Sequence, residues 1–198
     1  MIKLELVEYH LQKLQVKRII EKHHSYVPSN RSVGRRIDWL IYHSEHTNAF
    51  GIEEPVGMVG LGSSVYPPPK DILRYVGMTK SEYKDNFNSF ANNWRYCLTK
   101  SIPNLGSQVL KQLREQGLLQ WKSKYGDDLK YLITFVGGGN NGAVYKADNW
   151  KHIGHTAGLP EHKSSSMKWD DREQLRDKFV KPTGENKKMI FIKELQKI

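Results

Sequence analysis

Between residues 94 and 136 two strand-like runs flank one long helical pattern, and this spacing restricts the fold more than any other feature of the chain. The first run is WRYCLTKS (94–101), and after Pro103 the residues Leu105, Val109, Leu110, Leu113, Leu118, Leu119 and Trp121 recur at helical spacing to about Lys124, with Gly117 as a point of interruption. The second run, KYLITFV (130–136), is the clearest strand pattern in the sequence. Strand, helix and strand in that order require a crossover, so the two strands are predicted to be parallel with the helix on one face of the sheet.

The remaining segments extend that unit on both sides. IKLELVEY (2–9) alternates apolar and polar residues as a half-buried strand does, and LQKLQVKRIIEKHH places Leu11, Leu14, Ile19 and Ile20 on a helix that Pro28 ends. RIDWLIYH (36–43) and PVGMVGLGSS (55–64) read as two paired strands around a polar loop, and the triproline after Tyr66 breaks regular structure. Residues 80–93 read as polar and weakly helical. Gly137 to Gly142 reads as a turn, because the Lys-Ser/Thr that follows a phosphate-binding P-loop is missing. Ala143 to Trp150 forms a short helix, and His152–Thr156 and Lys188–Glu194 supply two more strands. The expected architecture is α/β (α+β), a mixed central sheet flanked by helices, in a single domain over 1–198 with 158–187 as a loop insertion.

Composition sets the class of partner. With 198 residues, 38% of them hydrophobic, the chain can bury a core, and it has no apolar run long enough for a transmembrane helix. The start MIKLELVEYH lacks a basic segment followed by an apolar one, so a cytoplasmic protein with no membrane partner is expected. A single cysteine, Cys97, excludes an internal disulfide and a cysteine-rich zinc site. The net charge of +10 favours polyanions as partners, and eight of the Lys/Arg residues stand against three Glu within the first 36 positions.

The residues Gly142-Ala-Val-Tyr145-Lys-Ala-Asp-Asn149-Trp150, followed by Ile153-Gly154-His-Thr156, resemble the G-x-x-Y-x-A-x-N-W-x-x-x-G-x-T signature of the phage Mom family. That family modifies adenine in DNA. A related domain of unknown function from Druantia-type anti-phage operons shares the signature, and Asn104-Leu-Gly-Ser107 with Val109-Leu110 also looks like it. The resemblance is firm over residues 92–158 and faint before. The order of elements is similar to the GNAT N-acetyltransferase fold, in which a strand, a loop and a helix N-terminus form an acyl-donor site. The resemblance implies a Mom-like transferase that shields phage DNA from restriction in the host cytoplasm. It implies a CoA thioester or an aminoacyl-tRNA as donor, and DNA and tRNA as partners.

The candidate site residues divide by role. Asn104, Leu105, Gly106 and Ser107 open a helix whose free N–H groups suit a phosphate, although the acetyl-CoA pattern of Gln/Arg-x-x-Gly-x-Gly/Ala is replaced here by Ile-Pro-Asn-Leu-Gly-Ser. Tyr96 and Asn149 join them on the donor side. Tyr145 is the expected proton donor to the leaving group. His23 and His24, ending the first helix, are candidate bases, and their adjacency gives no metal-ligand pair at i, i+4, so no metal is predicted. Asp38, mid-strand beside Arg36, is a base or half of an ion pair with Arg35 or Arg36. On the acceptor side stand Tyr66, Ser64, Tyr26, Arg31, Arg35 and Arg36, with Trp39, Trp94, Tyr96 and Tyr66 available to stack on an extruded base. Trp150 and Ala147 read as packing residues. Two further readings stay open: a GNAT N-acetyltransferase for a small molecule or protein, and a non-catalytic DNA-binding module of a defence or anti-restriction system.

Overall fold

The computed structural model describes residues 1–23, 34–47, 50–137, 139–156 and 187–195. His24, Tyr26, Arg31 and positions 158–186 of the expected insertion lie outside the described residues. The elements in chain order are β1 (Ile2–Leu6), α1 (Tyr9–His23), β2 (Arg36–His43), β3 (Gly57–Ser63), α2 (Lys70–Val76), α3 (Lys80–Asp85), β4 (Phe90–Leu98), α4 (Leu105–Gln112), α5 (Leu118–Tyr125), β5 (Tyr131–Val136), α6 (Ala143–Ala147), β6 (Lys151–His155) and β7 (Met189–Glu194). They build one seven-stranded mixed sheet in the order β1-β2-β3-β4-β5-β7-β6. The predicted crossover is present, since β4 and β5 pair in parallel while every other neighbouring pair is antiparallel.

Period-two alternation assigns the faces. Ile37, Trp39 and Ile41 of β2 turn to one side, where Val109, Leu110, Leu113 and Trp121 of the crossover helices cover them. Leu40, Met58 and Cys97 turn to the other, under Val16, Ile19 and Ile20 of α1. Farther along that second face, Ile72 and Tyr83 of α2 and α3 pack on Phe90, Ile133, Ile190 and Ile192. Between α4 and α5, residues Leu113–Gly117 form a π-helical turn. Gly117 sits there because a Cβ would stand 3.3 Å from the ring of Trp39, which is itself buried.

Several local expectations need correction. The triproline is followed directly by α2, which no apolar repeat announced. β4 begins at Phe90 rather than at Trp94, because two asparagines in FANNWRYCL disguise the alternation. In α1 the buried face is Val16, Ile19 and Ile20, while Leu11 and Leu14 are exposed. Ala147 is exposed, whereas Trp150 is buried as predicted.

Candidate active site

β4 and β5 pair only at Phe90–Asn92 with Tyr131–Ile133, and beyond that point no ladder joins them. The divergence has a local cause. Opposite β3, Gly60 pairs with Arg95 and Leu61 with Asn93, so Trp94 is the extra residue of a β-bulge, and a bulge bends its strand away from the regular course. The side chain of Asn93 patches the break by donating from Nδ2 to the carbonyls of Gly60 at 2.9 Å and Arg95 at 3.0 Å. Thr134 of β5 donates its hydroxyl to the Asn93 carbonyl at 3.1 Å, which pins the apex of the opening.

Into this opening projects Tyr145 of α6. Its hydroxyl donates to Oδ1 of Asn93 at 2.7 Å and lies 3.4 Å from the Thr134 hydroxyl. Gly142, with φ at +69°, caps α6, and its missing Cβ leaves room for the ring of Phe191, which in turn stacks on Tyr145. Tyr96 lines the same opening with its ring centre 6.0 Å from that of Tyr145, and it donates its hydroxyl to the Gly106 carbonyl at 3.2 Å. Burial raises the Tyr96 hydroxyl above its ordinary pKa of 10, with further upward pushes from Tyr145 and Asp148.

The N-terminus of α4 stands at the mouth of the opening. Asn104 enters the helix in the left-handed region at φ +59°, a conformation asparagine tolerates. The amide of Leu105 donates to Ile102 and that of Gln108 to Asn104, leaving the amides of Gly106 and Ser107 without an acceptor among the described residues. Those two N–H groups fit a phosphate. Gly106 also answers to packing, since a Cβ would stand 2.5 Å from Val144 of α6. Asn149 serves through its backbone: it turns the chain after α6 at φ +57°, and its carbonyl accepts from Lys193 at 3.4 Å.

On the other face of the sheet, Asp38 is buried and paired as the sequence suggested. Its Oδ2 accepts from Arg36 Nε at 2.5 Å and from the Tyr9 hydroxyl, and its Oδ1 accepts from Trp94 Nε1 at 2.8 Å. Burial pushes the carboxyl up to about 7, against the Trp94 hydrogen bond and the charges of Arg95 and Lys124, which hold it down. Burial also lowers the Arg36 guanidinium to about 10, helped by repulsion from Arg95. Two strands from Asp38, Asn92 Oδ1 is buried without a hydrogen-bond partner among the described residues.

The other candidates are dispersed. His23 is exposed at the C-terminal end of α1. Arg35 donates to Asp127 and lies over the ring of Tyr125, so its guanidinium is engaged within the fold. Ser64 is buried 2.5 Å from the Tyr83 hydroxyl. Tyr66 is exposed and meets Phe87 edge-on. Trp39 is core. Sequence reasoning missed Gly60, Asn93 and Thr134. The Asn92-Asn93 pair inside a strand was the signal that could have found the bulge. Among the described residues no cluster of three His, Cys, Asp or Glu could hold a metal ion, and no helix is long and apolar enough to cross a membrane.

The chain has the fold of the GNAT acetyltransferases, as likeness to solved structures shows. Arabidopsis thaliana NAA60 in complex with acetyl-CoA superposes with a TM-score of 0.59 at 10% identity, over 98% of this chain and 99% of that one. A phosphinothricin N-acetyltransferase, so described provisionally, gives 0.56 at 13% identity over 100% of both chains. The IAA acetyltransferase from Bacillus cereus gives 0.51 at 10% identity over 98% of this chain and 100% of that one. No family model matches the chain, and no curated protein matches it by sequence.

Proposed function

We propose that the chain is an acyl-CoA-dependent N-acyltransferase acting on an amine of a small molecule or a protein. The observation that carries this reading is the cleft between β4 and β5, which holds a phenol, Tyr145, at its apex and, at its mouth, the amides of Gly106 and Ser107, which have no acceptor among the described residues. The acetyl-CoA bound to the Arabidopsis neighbour supports a thioester donor. That donor supplies an activated carbonyl: the amine nitrogen bonds to it and gives up a proton to water, the carbon–sulfur bond breaks, and the leaving sulfur takes up a proton.

This chain's residues divide that work. The Gly106 and Ser107 amides and the positive end of α4 hold a phosphate. The Tyr145 hydroxyl carries the proton that the leaving sulfur takes up, and Asn93 Oδ1 and Thr134 orient it. The rings of Tyr96 and Tyr145, with centres 6.0 Å apart, line the cleft.

A second acceptor, the exocyclic amine of adenine in DNA, is favoured by the net charge of +10 and by the exposed ring of Tyr66. One experiment covers both. The purified chain is incubated with radiolabelled acetyl-CoA and a panel of amines, peptides and single- and double-stranded DNA, and nucleosides from plasmid co-expressed with it are weighed by mass spectrometry. Label on an amine or peptide with unmodified DNA supports the first acceptor class. A heavier deoxyadenosine supports the second, and no transfer to anything overturns the enzyme reading.

A further inference from the structure

Asp38 and Trp94 stand on strands that are not neighbours. β3 runs between them, and the residue of β3 at that level is Gly60, paired with Asp38 on one side and Arg95 on the other. A Cβ on Gly60 would overlap both the Asp38 carboxylate and the Trp94 indole nitrogen. The bare backbone therefore leaves a gap across β3. Through it the indole of Trp94 donates to Asp38 Oδ1 at 2.8 Å.

Trp94 is the bulge residue, so no strand partner fixes its direction. Its ring is held by side chains instead. The guanidinium carbon of Arg36 lies 3.9 Å from the ring centre and that of Arg95 4.4 Å from it, each a cation–π contact. Asp38 anchors this stack by accepting from Trp94 and Arg36 together, and the Tyr9 hydroxyl of α1 completes its set of donors. The charged and titratable groups facing Asp38 are thus Tyr9 from α1, Arg36 from its own strand, Arg95 from β4 and Lys124 from α5.

We propose that Asp38 is a positioning residue for the β4 bulge: its ionised carboxylate, reaching through the gap at Gly60, fixes the indole of Trp94 and the strand edge beside it, and uptake of a proton releases that hold. A neutral carboxyl loses the charge-assisted part of its bonds to the indole and to Arg36, which are the stronger kind. The bulge then relaxes, and with it the segment Asn93–Tyr96 that borders the cleft. The consequence for donor binding rests on the acyl-CoA reading above. The link between Asp38 and Trp94 does not.

The test reads the link directly. Indole N–H signals of the five tryptophans are followed by two-dimensional NMR across about pH 5 to 8.5, with Trp94→Phe to assign its peak. The expected result is a Trp94 signal that titrates with a midpoint near 7 in the native sequence and stays flat in Asp38→Asn, which keeps an acceptor oxygen but not the charge. Calorimetry with acetyl-CoA should then show affinity falling about tenfold between about pH 8 and pH 6, and much less in Asp38→Asn. A Trp94 signal that is flat in the native protein, or that titrates equally in Asp38→Asn, overturns the proposal. Should Trp94 titrate as expected while acetyl-CoA binds at no pH, the positioning role stands and the acyl-CoA reading fails.

Discussion

The Tyr145 hydroxyl donates to Oδ1 of Asn93 at 2.7 Å and so ties α6 to the bulged strand across the opening between β4 and β5. Replacing Tyr145 with Phe leaves a buried amide oxygen without its donor, which costs about 1 to 3 kcal/mol. For a chain of this size each kcal/mol lowers the melting temperature by about 2 to 4 °C. Tyr145→Phe should therefore melt several degrees lower yet remain folded by circular dichroism, and its acyl transfer rate should fall at least about a hundredfold. Full activity in that variant would remove Tyr145 from the role of acid.

Asp148 carries a different burden, accepting from Arg114 and from Trp150 Nε1 at 2.9 Å just after α6. Only 7% of the Asp148 side chain and 23% of that of Arg114 are exposed, so removing the carboxylate strands a mostly buried cation. Asp148→Ala should destabilise the fold by about 3 kcal/mol in urea unfolding, whereas truncating the exposed partner Lys111 of the Lys111–Glu115 pair should change it by less than about 0.5 kcal/mol.

Gly142 has both a left-handed φ and a phenyl ring where its Cβ would be. Gly142→Ala pays about 1 kcal/mol or more for the backbone alone and also pushes Phe191 against Tyr145. Thermal denaturation should show a loss larger than that of Gly77→Ala, where φ is also positive but the space around the Cβ is open.

Stability should also respond to Asp38. Burial raises this carboxyl from its ordinary value of 3.8 to about 7, so over that interval the folded chain holds a proton that the unfolded chain has released. The stabilising contribution is complete below about pH 4 and is lost as pH rises through about 7. In the difference between native and Asp38→Asn unfolding free energies, the native protein should lose ground steadily over that window. A difference independent of pH would show that the Asp38 carboxyl titrates in the ordinary range.

What the sequence disclosed and what it hid follow from range of interaction. The crossover from β4 to β5 was legible because period-two runs and a 3.6-residue repeat are properties of neighbours in the chain. The pairing of Asp38 with Arg36 was legible for the same reason, since residues i and i+2 of a strand share a face. The bulge was not. It arises from the register of β4 against β3, set by residues more than 30 positions apart, and Asn93 supports it through bonds to Gly60 and Tyr145 that no local pattern contains. Short α2 was hidden by the triproline before it, although the last of those prolines, Pro69, stands at its N-cap.

The most direct test of the donor site is an NMR titration of isotope-labelled chain with acetyl-CoA, followed at the backbone amides. The expected result is saturation at one equivalent with a dissociation constant between about 1 μM and 1 mM, and with the largest shifts at Asn93–Tyr96, at Gly106 and Ser107, and at Tyr145. Unchanged amides at those positions, with or without shifts elsewhere, would contradict the assignment of the β4–β5 cleft as an acyl-CoA site.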